Sequence, residues 1–127
     1  MNQEDLIGIT ALLVHLARID ENYTAKEQEI IKNFINSFSK ETDTTDNALQ
    51  QAEILEANSI QLLSFTNKIK EQSLDVKKKI IEHLWRIIIS DENVDHYESN
   101  LMRRICGLIY FPDKLCGEIK LKVLQNN

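Results

Sequence analysis

Glycine and proline are nearly missing from this chain: three of the one and one of the other in 127 residues. An all-β sandwich needs many tight turns, and those turns lean on both residues, so their scarcity favours helices. No uninterrupted run of about 18 apolar residues occurs, which excludes a bilayer-spanning helix. Direct membrane insertion is therefore not expected. Met1-Asn2-Gln3-Glu4-Asp5 carries acids where a signal peptide carries basic residues, and a cytoplasmic setting is the expectation. Positive charge is also short, with a net charge of −5 and a pI near 5.2, the opposite of a nucleic-acid-binding footprint. Lys77-Lys78-Lys79 and Arg103-Arg104 are local exceptions. Consecutive lysines fan around a helical turn instead of forming one face, and both runs are expected to be solvated surface.

Signatures of catalysis are missing as well. The chain has no G-x-S-x-G, P-loop or Rossmann glycine pattern, and three glycines leave little room for one. No Glu-x-x-His pair of a di-iron bundle occurs. His15, His83 and His96 form no HExxH pair, and His15, beside an apolar stripe, is expected to be a partly buried structural residue. Cys106 and Cys116 stand ten apart and match no CxxC or zinc-ligand spacing. Each lies within an apolar series and is expected to be a small core residue. Trp85 is expected in the core too. No enzyme is predicted.

What is present is apolar periodicity. Hydrophobic residues make up 43% of the chain and charged ones 28%, enough for one ordinary domain with a sizeable core. Leu6, Ile9, Leu12, Leu13, Leu16 and Ile19 fall at helical spacing. Thr24-Ala25-Lys26-Glu27 is a capping box, and Ile30, Ile31, Phe34, Ile35 and Phe38 give the face of a second helix. Ser39 to Asp46 reads as a polar loop ending in the N-cap candidates Thr45 and Asp46, with a third helix from Asn47 to about Glu56. A fourth segment carries Ile60, Leu62, Leu63, Phe65, Thr66 and Ile69. Ser73 is a cap candidate for a fifth, which ends in Ile87-Ile88-Ile89 and is expected to run through the centre. Asp95-His96-Tyr97-Glu98 reads as a second capping box, opening a helix through Leu101, Met102, Ile105, Cys106 and Ile109. Pro112 suits the first turn of a seventh helix, where its missing N–H costs nothing. No linker divides the chain, so the expectation is an all-α single domain, residues 1–127. Its architecture is a compact bundle of about seven helices containing two related helix–turn–helix hairpins.

The hairpins are related because one acidic signature occurs twice, 71 positions apart: Asp20-Glu21-Asn22-x-x-x-x-Glu27 and Asp91-Glu92-Asn93-x-x-x-x-Glu98. Leu13 and Leu84 keep the same offset, and Leu16/Ile87, Ile30/Leu101, Ile31/Met102 and Phe34/Ile105 agree in character. Two readings follow. Carboxylates gathered at interhelical turns suit a hard cation, calcium or magnesium, more than zinc. One turn offers few ligands, but Asp20, Glu27, Asp91 and Glu98 pooled around a pseudo-two-fold would make a four-carboxylate metal site. The other reading is structural: Glu27 and Glu98 stand where a capping box wants Glu, and Asp20 and Asp91 suit turn hydrogen bonds. Protein interaction would then be the function, through some other surface.

The long apolar helix, Asp-led turn and Glu seven residues later, found twice, resemble the TerB-like family, named for a bacterial tellurite-resistance protein. A related domain precedes the J domain of a membrane-anchored DnaJ-like co-chaperone. The resemblance takes in Tyr110-Phe111-Pro112-Asp113 and the final Ile119-Lys120-Leu121-Lys122-Val123. The family motif is usually Ala-Asp-Gly, a spacer and Glu; Ile19-Asp20-Glu21 and Ser90-Asp91-Glu92 keep the Asp without the Ala or Gly. The resemblance implies an all-helical, non-catalytic bacterial module with a metal-binding acidic face, associated with stress-response or membrane-bound protein partners. Phe111-Pro112-Asp113 stands where a J domain would show His-Pro-Asp, so co-chaperone activity of its own is not expected.

Overall fold

Ala11, Leu12, Leu13 and Val14 are consecutive in sequence and all fully buried, so the helix that carries them, α1 (Gln3–Ala17), is covered on every side. The computed structural model describes residues 2–19, 23–38, 42–58, 62–90 and 96–126, the side chains of 42–44, 62 and 96–99 excepted. Among these are seven helices and no strand: α1, α2 (Ala25–Asn36), α3 (Thr42–Ala57), α4 (Leu62–Lys70), α5 (Leu74–Ser90), α6 (His96–Leu108) and α7 (Asp113–Gln125). α1 packs on α2, α3, α4 and α5; α5 packs on α1, α2 and α7; α6 leans on α4 and α7. The expected central position of the fifth helix holds for its second half, where Ile80, Ile81, Leu84, Trp85 and the three isoleucines are buried. α1 shares that position because Gly8, Thr10, Ala11, Val14 and Ala17 bury the sides that its leucines leave. Gly8 lies under the Lys68 side chain, close enough that a Cβ would displace it.

The internal repeat is visible in the helices. α1 and α5 begin at Gln3 and Leu74, α2 and α6 at Ala25 and His96, so both starts are displaced by the same 71 positions. Burial follows the same register. Leu13 and Leu84 are fully buried, as are Ile31 with Met102 and Phe34 with Ile105, while Ile30 and Leu101 are both half-buried. α3 and α7 extend the match, since their starts at Thr42 and Asp113 keep the same offset and α2 packs on α3 as α6 packs on α7; the copies differ in that α2 also packs on α5 and α6 on α4.

Two boundaries depart from expectation. α3 starts at Thr42, so Thr45 lies inside the helix and does not cap it. Thr45 is buried, with its hydroxyl bonded to the Asn36 side chain at the end of α2, and Asp46 pairs with Lys32 at 3.4 Å. These tertiary bonds hold in helical form a stretch whose composition suits a loop. Pro112 stands one position earlier than expected, as the extended N-cap of α7 (φ −62°, ψ 134°), with Asp113 opening the helix. Ser73 caps α5 as anticipated, accepting from the Val76 N–H at 3.2 Å.

α6 ends in a Schellman motif. The Phe111 N–H bonds the Cys106 carbonyl at 2.8 Å and the Tyr110 N–H bonds that of Gly107 at 3.3 Å. The left-handed position this motif requires usually carries glycine, and here it is Tyr110 (φ 59°). Its exposed ring lies under the Lys70 ammonium, 4.8 Å from the ring centre.

Candidate metal centre

Of the four predicted ligands, Glu27 alone is described to its side chain. Asp20 and Asp91 lie outside the described residues, as do the rest of both Asp-led turns and the Asp95 end of the second capping box. Glu98 is described in its α6 backbone only. Glu27 is buried in the first turn of α2, where the expected capping box is complete. The Thr24 N–H donates to Glu27 Oε1 at 2.9 Å, and the Thr24 hydroxyl donates to the same oxygen at 3.0 Å. In return, the Glu27 N–H donates to Thr24 Oγ1 at 3.1 Å. Such a cap satisfies helix-end amides that nothing else in the helix can reach. It also holds the carboxylate at a fixed place beside the first acidic turn.

The helices around Glu27 decide where the second turn begins. α2 and α5 run antiparallel in contact. The Phe34 and His83 rings meet edge to face at 5.3 Å, and Lys79 lies over the Phe38 ring at 4.6 Å. Toward the other end, Lys26 and Ile30 share a cleft of about 260 Å³ with Arg86 and Ser90. Continued through this pairing, Glu27 stands level with Ser90, the last residue of α5 and the neighbour of Asp91. The described flanks of both acidic turns are therefore at one end of the bundle. Among the described residues, no three His, Cys, Asp or Glu side chains come together as a metal-holding group.

The exit from α1 into the first acidic turn is fixed by a polar cluster that sequence inspection missed. Arg18 donates to Glu56 Oε2 of α3 at 2.7 Å and reaches Glu53 at 3.9 Å, while His15 Nδ1 stands 3.3 Å from the other Glu56 oxygen. The same guanidinium lies 5.2 Å from the centre of the Tyr23 ring. Burial, assisted by the negative charge of Glu53, holds the Tyr23 phenol well above its ordinary pKa. These partners are 38 and 41 positions apart, so only the position of His15 beside the apolar stripe hinted at them. The prediction of a partly buried structural His15 is met, and Trp85, Cys106 and Cys116 are buried as expected.

The family model described as "Tellurite resistance protein TerB" matches residues 6–121. The chain belongs to the TerB family. Neither the curated proteins nor the solved structures include a match to it. The TerB match begins inside α1 and ends inside α7, so it takes in both copies of the acidic signature. No described helix is long and apolar enough to cross a membrane. The side chains predicted as ligands, Asp20, Glu27, Asp91 and Glu98, offer oxygen alone, the donor type a hard divalent cation takes. Glu27, the one predicted ligand whose side chain is described, is held by its cap beside the place where the second turn starts.

Proposed function

We propose that this TerB-family chain is a non-enzymatic module in which one hard divalent cation, calcium or magnesium, bridges the two acidic turns through Asp20, Glu27, Asp91 and Glu98. The observation that carries the reading is the antiparallel pairing of α2 with α5, which sets Glu27 level with Ser90. Carboxylates gathered at one end of a bundle repel one another, and a cation among them turns that repulsion into cohesion. The ion's contribution is thus to tie the α1–α2 hairpin to the α5–α6 pair. The cation-bound end would serve as the surface that protein partners in a stress response, membrane-associated ones included, engage.

Isothermal titration of metal-stripped protein tests the shared site. One ion per chain, lost alike in Asp20→Asn and Asp91→Asn, is the expected result. Two independent ions, or binding that survives either substitution, would separate the turns and end the bridging account.

A second reading rests on the capping box itself, in which Glu27 Oε1 and the Glu27 N–H already have structural partners. In that case the chain is a protein-interaction domain without a metal. The exposed Ile54 and Leu55, which form a shallow apolar cleft with Ile7, are then the first surface to substitute in a binding assay.

A further inference from the structure

Cys106 and Cys116 match no metal or redox spacing, yet the fold sets one against the other. The Schellman turn that ends α6 is closed on the Cys106 carbonyl by the Phe111 N–H. Pro112 follows, and the Cys116 N–H bonds the Pro112 carbonyl at 3.1 Å, so a single short turn positions both residues. Both are free thiols, close enough that each is the largest influence on the other's titration. Their surroundings differ. Cys106 is sealed in the core, whereas Cys116 lines a cleft of about 560 Å³ together with Trp85, Met102, Arg103, Asp113 and Lys120.

The lining of that cleft suits a thiolate. The Trp85 indole N–H is fully buried and has no aligned acceptor among the described residues, and it lies beside the Cys116 sulfur. A buried donor without an acceptor is costly, and a negative sulfur at Cys116 is the acceptor nearest to hand. The Lys120 ammonium sits 5.1 Å from the centre of the Trp85 ring, bringing positive charge to the cleft. α7 starts without a side-chain cap bond, and Asp113 in its first turn offsets part of the positive end of the helix dipole. Asp113 and burial act the other way. The interaction with Cys106 is the largest influence and draws the Cys116 thiol down, while that same interaction and burial push Cys106 up. The sulfur that the cleft reaches, Cys116, is the one placed to act as a nucleophile, with Cys106 sealed behind it.

We propose that Cys116 and Cys106 form a reactive dithiol that reduces a small hydroperoxide admitted through the cleft between α6 and α7, becoming an intramolecular disulfide. In the first step the Cys116 thiolate attacks a peroxide oxygen. An S–O bond forms and the O–O bond breaks, leaving a sulfenic acid, while the departing oxygen takes up a proton as water or an alcohol. In the second step the Cys106 sulfur attacks the Cys116 sulfur. The S–S bond forms, the S–O bond breaks, and hydroxide leaves as water with the Cys106 proton. Two electrons pass from the thiols to the peroxide, and an external dithiol returns them by exchange. Met102 lines the same cleft and is the competing target.

The test treats the full, folded chain with hydrogen peroxide beside an equal concentration of glutathione, following free thiols and intact mass. Both thiols should vanish together, faster than glutathione is consumed, with a mass lower by two hydrogens, no link between chains, and full reversal by dithiothreitol. Cys106→Ser should stop at a sulfenic acid on Cys116 that dimedone traps, whereas Cys116→Ser should give no adduct. Lys120→Met alters only the side of the cleft, keeps the core, and should slow thiol loss several-fold even if the cysteine variants fold poorly. The proposal is overturned if both thiols outlast glutathione, if oxygen is gained at methionine with the thiols intact, or if the disulfide links separate chains. It is equally overturned if dimedone marks the two cysteine variants alike.

Discussion

His83 is the residue whose ionisation bears most directly on stability. It is buried in α5, donates Nδ1–H to the Lys79 carbonyl at 2.7 Å, and meets the Phe34 ring edge to face. Burial lowers its pKa from the ordinary 6.5, with the Lys79 hydrogen bond opposing, Arg86 adding to the lowering and Glu82 resisting it. The unfolded chain therefore takes up this proton at a higher pH than the folded one, and protons favour unfolding. Stability should be full above pH 6.5, fall as the pH drops below it, and level off once the folded ring also titrates. His83→Leu should flatten that part of a urea-unfolding profile against pH, and an unchanged slope would remove His83 as its source. At this scale the sequence was legible in part. Cys106, Cys116 and Trp85 could each be read as buried from their apolar neighbours, and His15 as partly buried. That Cys106 touches Cys116, or that Arg18 and His15 converge on Glu56, could not be read, because spacing in sequence says nothing about which side chains a turn returns to each other.

The elements were legible wherever a local rule governs them. Thr24 and Glu27 form the capping box expected of their spacing, and Ser73 caps α5. Thr24→Ala should cost about 1 kcal/mol in chemical denaturation. If the box is purely a cap, that loss is the same with and without divalent cation; if Glu27 is also a ligand, cation widens it. Local rules failed where tertiary bonds overrode composition. Thr45 and Asp46 look like loop residues, but their bonds to Asn36 and Lys32 extend α3 back to Thr42. Tyr110 is the other case, a bulky residue at a left-handed helix end. Tyr110→Gly removes a strain of about 1 kcal/mol and forfeits an exposed cation–π contact with Lys70 of about 0.5 kcal/mol. A net gain of roughly 0.5 kcal/mol is expected in urea unfolding, and a loss would mean that the Tyr110–Lys70 contact outweighs the strain.

For the whole molecule, the internal repeat carried most of the information. One offset of 71 positions relates the starts of two helix pairs and the buried residues within them, so an all-helical fold with paired hairpins was readable from periodicity alone. The packing of α2 on α5 and of α6 on α4 was not, since it has no counterpart in the other copy and α4 has no repeat partner among the described helices. The candidate site is legible to the same extent: the signature names its carboxylates, and the α2–α5 pairing places Glu27 beside the start of the second turn. In the proposed function these facts are joined by a cation held by both turns at once. The direct test is thermal unfolding of metal-stripped protein with calcium, magnesium, manganese or zinc, beside Asp20→Asn/Asp91→Asn. A bound ion at about 100 times its dissociation constant adds roughly 2.7 kcal/mol, a rise of about 10 °C in melting temperature for a chain of this size. The account predicts that rise with calcium or magnesium and its loss in the double variant. No shift of the unsubstituted protein with any cation, beside a double variant that is merely less stable, would contradict it and leave the acidic signature as a pair of helix caps.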